Sequence, residues 1–174
     1  MNPVEAAEPV TTYIFAVDPG IANCGWAILR LQGVDLQLLD SGIITTDKLM
    51  LRHLRTAQIV RELGGILRPP VKKVWLAIED VAWSRNVSSA LTTAAVIGAV
   101  EAWAVAAGID CMAFGPTEVK RVVGGSGRSD KARVANGVRR MLSLDGPVDN
   151  EHKTDAAAIG ITCAVMALGY KLPA

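Results

Sequence analysis

The sequence is short of aromatic residues, of charge and of paired cysteines, and each shortage excludes something. Phe, Trp and Tyr make up 5% of 174 residues, so a core must be built from Ala, Val, Ile and Leu, packed closely with small side chains at the contacts. Charged residues make up 20% against 51% hydrophobic ones, which excludes a disordered chain and allows one fully packed domain. Cys24, Cys111 and Cys163 are odd in number and contain no C-x-x-C pair. That pattern gives neither a disulfide framework nor a zinc cage, and it reads as buried thiols in a reducing cytoplasm. Residues 1–12 carry Glu5 and Glu8 but no Lys or Arg, so they lack the basic start of a secretory signal and are expected to be a flexible lead into a single domain over 13–174. The most apolar stretch, Ala90 to Ile109, contains Thr92, Thr93 and Glu101. A buried or dimer-facing helix is expected there rather than a membrane span.

The net charge of +1 conceals segregation. Lys48 to Lys73 carries +6, with Glu62 its one acid, and Pro116 to Arg140 carries +5, so the remainder carries −10. Two basic tracts and a separate acidic pool suit a phosphate-binding surface beside a carboxylate metal site. Ordinary solvated helix faces give the same pattern.

Periodicity sets the order of elements. Tyr13 to Val17 is a buried apolar strand ended by Asp18-Pro19-Gly20, and Gly25 to Leu31 with Val34 to Thr45 forms a hairpin around Gln32-Gly33. Leu49, Leu51, Leu54, Ile59, Leu63 and Ile66 lie roughly on one helical stripe before Pro69-Pro70. Val74 to Ile78 is a second buried strand ending at Glu79, and an Ala-rich helix spans Ser88 to Ala107. Asp110 to Phe114 is a further strand, followed by helices over Thr117 to Val123 and Lys131 to Leu142. A last helix begins at Asp149 or Asn150 and ends near Gly169. This order predicts an α/β domain whose five-stranded mixed sheet is flanked by helices.

Sites on open α/β sheets lie beyond the C-terminal strand ends. Asp18 and Glu79 occupy such ends, and on neighbouring parallel strands their carboxylates would stand about 5 Å apart. Such a pair repels unless one is protonated or a cation intervenes. A turn acid and a solvated strand end are the plainer readings of the two residues. On the last helix, His152 and Asp155 are spaced i, i+3, and Glu151 and Asp155 i, i+4, so either pair can face one point. Acids favoured by the helix dipole explain them equally.

The ordered set Ala16-Val17-Asp18-Pro19-Gly20, Gly25, Ala77-Ile78-Glu79, Val119-Lys120, Val122-Val123-Gly124, Lys131 and His152-x-x-Asp155-Ala156-Ala157-Ala158-Ile159 resembles the RuvC family of Holliday junction resolvases. The likeness spans nearly the whole chain after residue 12. It implies a ribonuclease H-like fold, a homodimer, and Mg²⁺-dependent cleavage of four-way DNA junctions, with two ions per site and Mn²⁺ able to substitute. It matches Asp18, Glu79 and Asp155 with the family's three acids and His152 with a position where members carry Asp or His, all four as catalytic metal ligands. Histidine suits Mn²⁺ better than Mg²⁺, so this ligand would raise the Mn²⁺/Mg²⁺ activity ratio. Lys120 and Lys131 match catalytic basic residues near the scissile phosphate. Together with Trp83, Arg85, Asn86, Arg121 and Arg128 they form the expected DNA-contacting set. Where the family often has an aromatic wedge, three positions after the second acid, this chain has Ala82. Trp83 either supplies the wedge from a shifted register or rests on the surface. A related nuclease acting on other branched DNA or on structured RNA is the alternative. A nucleotide binder of the sugar-kinase or actin type would need a second subdomain for which the chain has no room. A branch-migration motor is left open as a further partner, and no membrane is expected.

Overall fold

The computed structural model describes residues 10–67, 73–81 and 86–172. Its elements are β1 (Thr11–Asp18), β2 (Asn23–Gln32), β3 (Asp35–Thr45), α1 (Arg52–Ile66), β4 (Val74–Glu79), α2 (Val87–Ala106), β5 (Asp110–Phe114), α3 (Pro116–Gly124), α4 (Lys131–Met141) and α5 (Glu151–Met166). The five strands form one mixed sheet in the order β3-β2-β1-β4-β5. β1 is antiparallel to β2 and parallel to β4, and β4 is parallel to β5. β1 is central, which is why its sequence is apolar on both faces.

Strand alternation divides the core in two. Ile14 and Ala16 of β1 face one cluster with Leu29 of β2 and the inner faces of α3, α4 and α5. Phe15 and Val17 face the other, with Ile59 and Leu63 of α1 and Val96, Val100 and Ala104 of α2. The scarcity of aromatics has the expected outcome: α5 crosses the sheet on small residues, Ala156, Ala157, Ala158 and Gly160, all buried. A side chain at Gly160 would meet Leu29 Cδ1 at 2.4 Å, so glycine sets the closeness of this helix to the sheet.

Three local expectations are revised. β1 starts at Thr11 rather than Tyr13. The apolar stripe assigned to the first helix is buried only at Ile59 and Leu63. Leu49 and Leu51 precede the helix, and they and Leu54 are exposed, because only the second half of α1 packs on α2 and the sheet. Cys24 and Cys163 are buried free thiols as expected, whereas Cys111 on edge strand β5 is only partly buried. α2 is long and apolar enough to cross a bilayer by length and composition; one of its faces packs into the second core cluster.

Candidate active site

β1 and β4 run side by side with Val17 opposite Ile78, so the next residues, Asp18 and Glu79, end adjacent parallel strands at the middle of the sheet. Asp18 also pairs with Gly25 of antiparallel β2. That glycine has a specific reason: a Cβ there would lie 2.3 Å from the His152 carbonyl oxygen. Its absence lets the first turn of α5 rest on the sheet beside Asp18. The turn is held by Asn150, whose side chain caps the helix by accepting from the His152 N–H at 2.9 Å. His152 Nδ1 then lies 2.9 Å from Asp18 Oδ2, and Asp155 follows one turn along.

The electrostatics join these groups. Burial raises the Asp18 carboxyl above its ordinary value, opposed by the hydrogen bond and charge of His152 and by the charge of Lys131. Glu79 is pushed up to about 7 by burial and by the charges of Asp18 and Asp155, with Lys120 and Lys131 pulling the other way. Asp155 is raised by burial and then by Asp18, against Lys131, His152 and Lys120. Glu79 and Asp155 therefore both feel Asp18, Lys131 reaches all three acids, and Lys120 reaches Glu79 and Asp155. Glu79 and Asp18 line a cleft of about 250 Å³ with Gly20, Asp80, Ser89 and Thr93. Asp155 borders a second cleft beside Lys131 and Glu151.

Among the described residues, no three His, Cys, Asp or Glu side chains are gathered tightly enough to enclose an ion as they stand. The donor set still fits a hard dication. It offers carboxylate oxygens from three separate elements, and a cation would offset the burial that raises all three and the charge of Asp18 that further raises Glu79 and Asp155.

The basic residues distribute around this centre. Lys120 is exposed on α3. Lys131 opens α4 and forms an ion pair with Glu151 at the start of α5. Arg121 in α3 and Arg128 in the loop after it are exposed. Asn86 caps α2, accepting from the Ser89 N–H at 3.1 Å. Trp83 and Arg85 lie outside the described residues. Sequence reasoning missed Ser89 and Thr93, which the first turns of α2 bring to the Asp18–Glu79 cleft; their i, i+4 spacing at a helix start was the available signal. It also did not foresee that Glu151 pairs with Lys131.

A family profile described as crossover junction endodeoxyribonuclease RuvC matches residues 14–163. The chain is 32% identical over 151 residues to the crossover junction endodeoxyribonuclease RuvC of Heliobacterium modesticaldum, covering 87% of this chain and 93% of that protein. The Thermus thermophilus RuvC structure superimposes with a TM-score of 0.78 at 29% identity, over 94% of this chain and all of that one. The T. thermophilus RuvC in complex with a Holliday junction substrate matches with a TM-score of 0.76 at 27% identity, over 94% of this chain and 100% of that chain.

Proposed function

This chain belongs to the RuvC family of crossover junction endodeoxyribonucleases, which resolve Holliday junctions, and we propose that it does so through Asp18, Glu79, His152 and Asp155. The observation that carries this assignment is the convergence of Asp18 and Glu79, at the ends of adjacent strands, with the first turn of α5 through the 2.9 Å Asp18–His152 contact. Asp18, central and touching His152, would hold divalent ions, Mg²⁺ or Mn²⁺, together with Glu79 and Asp155, and His152 would orient Asp18 or complete the ligand set. When bound, these ions stabilise charge on both the attacking and the leaving oxygen of the phosphodiester.

The remaining steps belong to the chain. Lys120 and Lys131 place positive charge beside the phosphate as it gains charge in the transition state. Gly25 of β2 seats the first turn of α5, which holds His152 against Asp18 without reorganisation. Arg121, Arg128, Asn86, Trp83 and Arg85 contribute contacts to the arms of the junction, phosphate contacts fixing register rather than sequence. The three reduced cysteines fit action in the cytoplasm.

Two nicks on opposed strands require two sites, so the enzyme acts as a homodimer. The outer face of α2 supports this arrangement. Leu91 and Val105 are 62% and 70% exposed, and between them Gly98 meets nothing within 4 Å of a notional Cβ, which suits close helix packing in a second copy.

The test is Asp18→Asn on a synthetic four-way junction. Cleavage is lost while binding in Ca²⁺ persists; retained cleavage would refute the assignment. Sedimentation of a monomer at micromolar protein would refute the dimer.

A further inference from the structure

Lys131 and Glu151 open two neighbouring helices, and their ion pair joins α4 to α5. Both helix starts are fixed by side-chain caps: Asp130 accepts from the Arg133 N–H at 2.8 Å, and Asn150 from the His152 N–H at 2.9 Å. The two backbones are therefore set, and the side chains choose the partners. Glu151 suits its place, since an acid in the first turn complements the helix dipole. Lys131 does not. A cation at a helix N-terminus opposes the same dipole, and the first turn of α4 has no acid to offset it. A lysine kept where its own helix disfavours it answers to something outside that helix.

Two anionic partners are open to it. One is Glu151, which lines a cleft of about 320 Å³ together with Lys131, Thr154 and Asp155. The other is the buried set of acids one helical turn further on. Burial raises Asp18, Glu79 and Asp155, and the charge of Lys131 opposes that rise in all three; at Asp155 it is the strongest of the opposing charges. Asp149, which lines the same cleft, is paired with Lys153 at 3.0 Å. In the structure the ammonium stands on Glu151, the outer partner, with side chains 73% and 57% exposed. A pair so open to water adds little to stability. Its effect is to decide where the ammonium stands.

We propose that Glu151 is a positioning residue: it holds the Lys131 ammonium at the rim, off Asp155 and the acids beside it, so that those carboxylates stay open to divalent ions and the lysine stays available to the phosphate. This rests on the metal-dependent reading above. Without Glu151, the remaining pull on Lys131 comes from the buried carboxylates, and the lysine turns inward as their counter-ion. A divalent ion must then displace it before binding.

The experiment reads the Mg²⁺ affinity of the full-length protein, without DNA, from thermal melts across an Mg²⁺ series. Glu151→Ala weakens Mg²⁺ binding roughly fivefold, the effect of a well-placed exposed ion pair. Lys131→Ala binds Mg²⁺ at least as tightly as the wild type, and adding Glu151→Ala to it changes nothing further, because the lysine that would turn inward is gone. Glu151→Asp keeps the charge and restores most of the affinity. Glu151→Gln keeps the shape without the charge and shows the same loss as Glu151→Ala, which covers an alanine variant that does not fold. On a four-way junction, Glu151→Ala raises the Mg²⁺ concentration needed for half-maximal cleavage by a similar factor, a larger change than in the maximal rate.

Mg²⁺ binding by Glu151→Ala and Glu151→Gln equal to that of the wild type overturns the proposal. So does a loss that persists in the Lys131→Ala background, since Glu151 would then act on the ion directly or through the fold of α5. Wild-type protein that binds no Mg²⁺ and cuts no four-way junction in its presence would sink the metal-dependent reading itself.

Discussion

Two helices, α5 and α1, pack on opposite faces of the sheet and begin in opposite ways. α5 is capped by Asn150, opens with Glu151 and lies against the backbone at Gly25. α1 is uncapped, opens on basic residues and leaves its leading leucines in solvent. The first construction fixes side chains to within a fraction of an ångström, as a reaction centre requires. The second leaves its first backbone N–H groups to water and its leading apolar side chains outside the core. A helix start is thus built tightly where it seats candidate site residues and loosely where nothing packs on it.

Gly25→Ala attacks the rigid start most severely. The added Cβ would fall 2.3 Å from the His152 carbonyl, so the first turn of α5 must move away from Asp18. Cleavage should fall roughly a hundredfold, the usual consequence of misplacing a reacting group by about 1 Å, while junction binding in Ca²⁺ survives. Unchanged turnover would mean that α5 does not need this seat. His152→Asp keeps the seat and changes the donor beside Asp18. It should lower the Mn²⁺/Mg²⁺ rate ratio by several-fold, read from parallel rate measurements.

The same rigidity carries a pH signature. Glu79 is raised from 4.5 to about 7 in the folded protein, so the native state holds more protons than the unfolded chain across that window. Metal-free stability therefore falls as pH rises from about 4.5 to about 7. Thermal melts should show a declining Tm over this range. Glu79→Gln should abolish most of the decline and raise the metal-free Tm at pH 8. Added Mg²⁺ should raise the wild-type Tm more at pH 8 than at pH 5, since protons compete for the same carboxylates.

The smallest effect sharpens the other half of the comparison. Leu51→Ser supplies the missing cap and should stabilise the protein by about 1 kcal/mol, a Tm rise of about 2–4 °C for a chain of this size. A Leu51→Ser protein that is less stable would show that the leucine is buried in solution.

Much of this was legible before the fold was known. Val74 to Ile78 is wholly apolar and stops at an acid, as Tyr13 to Val17 does, so two buried strands with terminal carboxylates follow from hydrophobic run length alone. Asn150 and the alanines after Asp155 announce a capped, close-packed helix. The first helix was less legible, because an apolar residue at helical spacing reads as core whether or not anything lies opposite it. Leu54 fits the stripe with Ile59 and Leu63, yet Leu54 is 46% exposed and the other two are fully buried. Lys131 and Glu151 are similarly opaque: they lie 20 positions apart on separate helices, and nothing local foretells their ion pair.

The amino-acid order by itself determined the sequence of strands and helices, which acids end the central strands, and the family to which the chain belongs. Backbone alternation, caps and turns act over a few residues, and their signals survive in one dimension. Only the tertiary structure decided that the first turn of α5 sits on Gly25, that Asp18 raises the carboxyls of Glu79 and Asp155, and that the leucines before α1 stay outside the core. Those outcomes depend on how closely remote segments approach, and distances of that kind are set when the two core clusters pack.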